Sequence, residues 1–378
     1  MLLDSFSFFL VFLTVFVLFL SLFYPSSSPL ILSFMFLPCF FVFSSSNIFL
    51  LYFFYEFSLV PILFIILKWG SYPERSVRSM MLLVYTSIFA FPFLGCLSLF
   101  FSIQGSFSCF MVGSLVFSPL ATYIAFCCFA VKLPIYGLHY WLPMAHVEAP
   151  TFGSIILAGI LLKLGGVGLL RLGAIFSMGV LRMRLFCYLL GFLLVSAVVC
   201  CFQSDFKRLV AYSSVFHMIV IPLLLLASLE LGNKVLLGTI VFHGLSSPIL
   251  FMLVGLVYSI YSTRQLVLIR GILLISPLLS LFLSLSFFFT LSAPPFPSFY
   301  SEVFVFVSVY SINSFSLLVF IPVIFFSLVY NLNWFTSLLF SRVRTGQTTV
   351  RQLSYGFLYP LFLAFFLSFF SLFLISFL

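Results

Sequence analysis

The chain is 378 residues long, 64% hydrophobic, 21% aromatic and only 6% charged. That composition excludes a water-soluble fold, and no polar stretch is long enough to add a soluble domain. The formal charge of +9 is carried by basic residues scattered among short loops, which points to membrane topology and away from nucleic-acid binding.

Spanning a bilayer takes about 20 apolar residues per helix. Runs of that length recur almost end to end, and the alternation of an outer-membrane barrel is absent. The N-terminus, MLLDSFSFFLVFLTVF, has neither the basic region of a signal peptide nor an Arg-rich transit pattern. It reads as a retained first span near 6–24. Spans follow near 29–44, 47–67, 80–103, 110–141, 150–170, 184–202, 209–229, 234–260, 270–311, 315–340 and 353–377. The expected fold is an all-α polytopic membrane protein of about 12 transmembrane helices.

Two of these spans are too long for a simple crossing, and each contains proline. Lys132-Leu133-Pro134 breaks the fifth and Ala293-Pro294-Pro295 breaks the tenth. Proline removes a backbone donor and clashes with the preceding turn. Broken backbone at membrane depth is tolerated only inside protein or beside a water-filled cavity. The two breaks lie five spans apart and so run in opposite directions, the pattern of an inverted repeat.

Loop charge supports the count. Odd-numbered loops hold Lys68, Arg75, Arg78, Lys207, Arg208, Arg264, Arg270, Arg342, Arg344 and Arg351; even loops hold only Arg171, Arg182, Arg184 and Lys234. The odd loops belong on the matrix or cytoplasmic face. The eight cysteines lie in or beside apolar runs without metal-type spacing and read as small buried hydrophobes. Phenylalanine, at 58 residues, exceeds what packing asks for; T-rich coding DNA, as in an organelle gene, would explain it.

Four ionisable residues remain deep inside apolar runs: Glu56, Lys132, Lys163 and Glu302. A charge at mid-bilayer costs roughly 2.5–3.5 kcal/mol, so such residues mark an ion path or a buried pair. Glu56 reads either as a structural salt bridge or as a switchable partner for Lys132. At about 4 Å and an effective dielectric near 20, such a pair is worth roughly 4 kcal/mol. Moving one proton against about 180 mV costs about the same. Lys163, in a small-residue helix, reads as a relay group. Glu302 follows the second break and reads as the terminal acid or as a side chain snorkelling to an interface. His217 and His243 lie inside spans eight and nine and can carry protons or simply fill the core. His139 and His146 flank Tyr140, Trp141 and Pro143, an aromatic-proline setting that suggests an interfacial elbow; Glu148 is exposed there or pairs locally. Glu74, Arg75 and Arg78 read as ordinary matrix-side charges. No nucleotide fingerprint, metal-spaced cluster or nucleophile elbow is present in the sequence.

The stretch KLPIYGLHYWLPMAHVEAPTFGSIILAGILLKLGGVGLLRL, Lys132 to Leu172, closely resembles the antiporter-like (Mrp-type) family represented by NADH dehydrogenase subunit 4 of mitochondrial respiratory complex I. The likeness continues in YEFSLVPILFIILKWGSYPER, DFKRLVAYSSVFHM, FHGLSSPILF and the PP…SE element before Glu302. It implies a core over 29–340, a shortened N-terminal span over 1–28, and a loop with a C-terminal span over 341–378. It implies that Glu56, Lys132, Lys163 and Glu302 form a polar proton axis, with His217 and His243 beside it. It places NADH, FMN, iron–sulfur clusters and ubiquinone on other subunits, so the chain would belong to an H+-translocating NADH:ubiquinone reductase without holding a redox centre. Expected partners are the antiporter-like subunits 2 and 5, accessory subunits and lipids such as cardiolipin, in the mitochondrial inner membrane. The chain departs from the family by having one helix before the core where three are expected, and by Met144 where a lysine is common. A cation/proton antiporter subunit, an intramembrane hydrolase and a purely structural spacer are the competing readings.

Overall fold

The computed structural model describes residues 5–24, 27–70, 72–105, 119–172, 179–226, 229–341 and 358–375. Arg342, Arg344, Arg351 and the start of the expected fifth span lie outside them. The described residues form helices and connections, and Asp205 and Gln265 make an isolated antiparallel bridge.

The first membrane elements are α1 (Ser5–Leu22), α2 (Pro29–Ser44), α3 (Ile48–Phe57), α4 (Leu59–Trp69) and α5 (Arg75–Gln104). α3 and α4 form one crossing, Ile48–Trp69, interrupted at Ser58. Pro61 lies three residues beyond the interruption and has no N–H to give the carbonyl of Phe57. α6 (Pro119–Ala130) stops two residues before Lys132, the chain turns over residues 131–140, and α7 (Trp141–Glu148) resumes. Gly137, at φ +84°, supplies a backbone conformation that side chains with a Cβ rarely adopt. The indole of Trp141 donates back to the carbonyl of Val131 at 2.8 Å and ties the two halves together.

α8 (Thr151–Ile156) runs through a π-helical stretch, Leu157–Leu161, into α9 (Leu162–Arg171). Then come α10 (Gly179–Cys201), α11 (Phe206–Leu224) and α12 (Leu229–Tyr261). The second broken element is α14 (Pro277–Thr290) and α15 (Pro297–Ile312), preceded by a short α13 (Ile272–Ile275). α16 (Ser316–Leu339) and α17 (Leu358–Ile375) complete the bundle. Both expected breaks are present, and among the described residues seven helical stretches are long and apolar enough to cross a membrane, with five shorter apolar ones beside them.

Burial sorts the helices. Ninety-four per cent of the apolar window is buried in both Thr151–Arg171 and Gly232–Tyr261, against 28% in α5 and α16. The first two are therefore the centre, and the outer helices present Phe and Leu outward. Close approach at the centre depends on small residues. A Cβ on Gly159 would lie 2.7 Å from the methyls of Val17 and 2.9 Å from Pro248. α1 thus lies in a groove made by α8, the π-helical stretch and α12.

The odd loops meet one another. Arg78 pairs with Glu148 at 3.2 Å, Lys207 donates to the Ala149 carbonyl at 2.7 Å, and Arg264 donates to the Val147 carbonyl at 3.2 Å. Two even-side segments also meet, Arg171 donating to the Phe43 carbonyl at 3.1 Å. The alternation read from loop charge therefore agrees with which loops touch.

Two readings of individual residues need correction. The His139–His146 region, read as an interfacial elbow, is a turn and half-helix packed into the bundle, with Trp141 4% and His146 0% exposed, while Tyr136 and Tyr140 remain exposed on its outer side. Its aromatic and proline residues terminate a broken span rather than anchor a surface one. Lys207, counted among the loop charges, is buried at 2% exposed, and Glu148 beside it takes the second of its two readings, pairing locally with Arg78.

Candidate functional site

Lys132 is set by two interrupted helices. At Ser58 the backbone N–H bonds to the Phe54 carbonyl, and the helix does not continue, which leaves the Tyr55 carbonyl free to accept elsewhere. Lys132 Nζ donates to it at 2.5 Å and lies 3.3 Å above the centre of the Tyr55 ring. The Ser58 hydroxyl donates to the same carbonyl at 2.6 Å. Tyr55 is held in turn by its own hydroxyl, which donates to the Cys128 carbonyl at 3.0 Å. A carbonyl and an aromatic face together give a buried ammonium two electronegative partners.

Glu56 is half-buried on the adjoining turn, and its Oε1 is enclosed without a protein hydrogen-bond partner. It makes no ion pair with Lys132 here: both salt bridges among the described residues involve Arg78. The lysine holds to the carbonyl one residue away instead. The two groups are close enough for each charge to act on the other.

Lys163 is fully buried on α9, two residues past the π-helical stretch. Its ammonium donates to the Ala158 carbonyl at 2.5 Å, inside that stretch, and lies 3.0 Å from Nδ1 of His243 on α12. A π-turn shifts the backbone ladder by one residue, and here a carbonyl of that turn accepts from a side chain. His243 in turn lies 5.5 Å, ring centre to ring centre, from His217 on α11.

Both histidines open on a cavity of about 290 Å³ whose far wall carries Glu302, Ser292, Ser298 and Ser301. That is room for several waters among polar groups. Glu302, half-buried on α15, faces this cavity rather than an interface. It accepts from the Ser292 hydroxyl at 2.5 Å. Ser292 is at the second break with φ 55°, a left-handed conformation that costs a residue with a Cβ roughly 1–2 kcal/mol. The break therefore aims a hydroxyl at the acid.

Lys163, His243, His217 and Glu302 are thus brought into one continuous set. Lys132 and Glu56 form a second group. Phe129 and Leu133 lie against the glycine face of α9 between the groups: a Cβ on Gly165 would be 2.9 Å from the Phe129 carbonyl, and one on Gly168 would run into the Phe129 ring. No side-chain hydrogen bond among the described residues joins Lys132 to Lys163. Sequence reading named His146, Arg78, Glu148 and Lys207 but did not bring Arg78, Glu148 and Lys207 together as one buried cluster. Their signal was present as the short spacing His146–Glu148–Thr151, but burial of a polar half-helix is not visible in a hydropathy trace.

Solved structures share this architecture. One chain of respiratory complex I from Thermus thermophilus with bound NADH superposes with a TM-score of 0.85 at 22% identity, over 98% of this chain and 82% of that one. A chain of the membrane-bound sulfane sulfur reductase, an archaeal respiratory membrane complex, gives 0.85 at 18% identity, over 97% and 78%. The fold is that of an antiporter-like membrane subunit. NADH-ubiquinone oxidoreductase chain 4 of Lumbricus terrestris is 36% identical over 306 residues, 78% of this chain and 67% of that protein. The Locusta migratoria chain 4 is 38% identical over 305 residues, 77% and 66%. The NADH:quinone oxidoreductase/Mrp antiporter transmembrane family matches residues 45–327, and the chain belongs to it. The matched part spans about two thirds of the length of these two curated relatives.

Proposed function

We propose that this chain is a proton-translocating membrane subunit of an H+-translocating NADH:ubiquinone reductase of the mitochondrial inner membrane. The observation that carries the reading is the contact between Lys163 and His243, with His243 and Glu302 lining one cavity. An amine and an imidazole 3.0 Å apart are within reach for direct proton transfer between their nitrogens. The histidine pair then leads to the cavity that Glu302 also lines. Redox chemistry belongs to other subunits; this chain supplies the titrating groups and the dry walls that stop leakage.

Glu56 and Lys132 act as the control pair. In the state described, the Tyr55 carbonyl holds the lysine. A rotation of either side chain would let Glu56 compete for it, with an interaction of about 4 kcal/mol at about 4 Å. Partners are the other membrane subunits of the complex, with subunits 2 and 5 as neighbours and cardiolipin among the lipids. Curated relatives are named as chain 4 of NADH-ubiquinone oxidoreductase, which favours this over a cation/proton antiporter subunit.

The test is proton pumping by the assembled complex in vesicles, with Lys163→Met. A fall in protons moved per NADH oxidised supports the reading. Unchanged pumping in an assembled complex would make the chain a spacer, and sodium-dependent exchange without NADH oxidation would favour the antiporter.

A further inference from the structure

The cavity lined by Glu302 and the two histidines is not sealed. Two of its lining residues, Ile324 and Leu328 of α16, are 45% and 41% exposed on the outside of the bundle. Both lie at least eight residues from either end of the 24-residue α16, roughly 12 Å at about 1.5 Å per residue. The opening is therefore near mid-membrane, on the α16 wall. At that depth it meets hydrocarbon and not water.

Inside, one acid stands among apolar walls. Val305 and Phe306 of α15 and Phe320 and Val323 of α16 line the cavity beside Glu302, and no lysine or arginine among the described residues does. Ser292 donates to one carboxylate oxygen. The other, Oε2, receives no hydrogen bond from the described residues and is not enclosed. A space of about 290 Å³ with mostly apolar walls and a single fixed acid has the build of a small-molecule site. Route and lining select the same chemistry. A molecule arriving through the bilayer must dissolve in hydrocarbon, and one held at Oε2 must bring a donor. An acyl chain alone would leave that oxygen unpaired.

We propose that this cavity is a binding site for a lipid-soluble amine, entered from the bilayer beside Ile324 and Leu328 and anchored through its nitrogen at Glu302. The amine crosses hydrocarbon as the free base. At the acid the Glu302 proton moves to the nitrogen: one O–H bond breaks, one N–H bond forms, and an ammonium–carboxylate pair remains. A hydrogen bond between two charged partners is stronger than a neutral one. The apolar body of the ligand rests against Phe320 and Val323 and takes the place of water. Binding depends only on this geometry. Its consequence, withdrawal of Glu302 from proton transfer, rests on the proposed function.

The experiment illuminates the assembled complex in lipid nanodiscs with 4-phenylbutylamine carrying a photoreactive diazirine on its ring, and reads the labelled peptides by mass spectrometry. The matching alcohol and the trimethylammonium form are run beside it. The amine is expected to label α15 and α16 around the cavity. Labelling there should be about tenfold weaker with the alcohol, and about tenfold weaker with the amine in Glu302→Gln, the difference between a charged and a neutral hydrogen bond. Ile324→Trp, which fills the opening, should slow labelling, and the trimethylammonium form, which hydrocarbon does not dissolve, should label least. Label confined to other subunits, equal labelling by the alcohol, or unchanged labelling in Glu302→Gln overturns the proposal. Undiminished labelling in Ile324→Trp, or by the trimethylammonium form, overturns entry from the bilayer. If a variant does not assemble, the comparison of amine with alcohol on the unaltered complex decides. Labelling reads occupancy while Lys163→Met reads pumping, so failure of this site and failure of the proposed function are told apart.

Discussion

Lys163 and His243 are 80 residues apart in the chain, and their side chains meet at 3.0 Å across α9 and α12. The contact depends on how closely the two central helices approach. That approach runs through Gly159 beside Pro248, while Gly244, immediately after His243, lets α1 close on α12, where a Cβ would lie 2.4 Å from Leu13. Packing and proton chemistry are therefore set by the same few residues.

Gly159→Ala is expected to destabilise the bundle by about 1–3 kcal/mol, the usual cost of forcing a methyl into a filled core. Val17→Ala should recover part of that loss, because Val17 supplies the nearest atoms. Thermal unfolding of the purified complex, read as a double-mutant cycle, checks the coupling; strictly additive effects would contradict it.

Glu56→Gln should lower proton pumping while assembly stays intact. The carboxamide keeps the shape of the side chain but cannot compete as a charge for Lys132. The measurement is protons translocated per electron in vesicles, and a normal ratio in this variant would rule out the paired control described above.

Lys132→Met should be more damaging than Glu56→Gln. It removes a carrier, empties the site above the Tyr55 ring and leaves Glu56 as a half-buried acid without the cation nearby. Coupled turnover, compared at equal amounts of assembled complex, tests the order; equal or milder loss for Lys132→Met would reverse it.

Ser292→Gly separates stability from function. Glycine adopts φ 55° without the Cβ penalty, so the variant should unfold no more easily than the parent, with about 1 kcal/mol available from relieved strain. It also removes the hydroxyl that orients Glu302, and pumping should fall. Retained pumping would show that Glu302 needs no such orientation.

Much of the site could be read before any contact was known. Glu56, Lys132, Lys163 and Glu302 stand out because a charge in a 20-residue apolar run conflicts with its surroundings, and that conflict is local to the sequence. Lys132 and Glu302 were also tied to helix breaks by the prolines next to them. The partner of Lys132 was not legible: the acceptor is a backbone carbonyl, at Tyr55, which every residue possesses and no pattern marks. His146 and Lys207 were misread for a related reason. A short polar half-helix and a lysine beside an N-cap look like surface features until loops from elsewhere in the chain close over them.

By itself, then, the order of residues determined the succession of apolar helices, the two breaks and the inventory of titrating groups, because the bilayer imposes length and polarity on each segment separately. Only the tertiary structure decided that Lys163 meets His243, that Glu302 faces a cavity rather than lipid, and that Lys132 rests on Tyr55 instead of Glu56. Those outcomes depend on how closely helices distant in sequence can approach, which is fixed by side-chain volume at the glycine contacts and not by hydropathy.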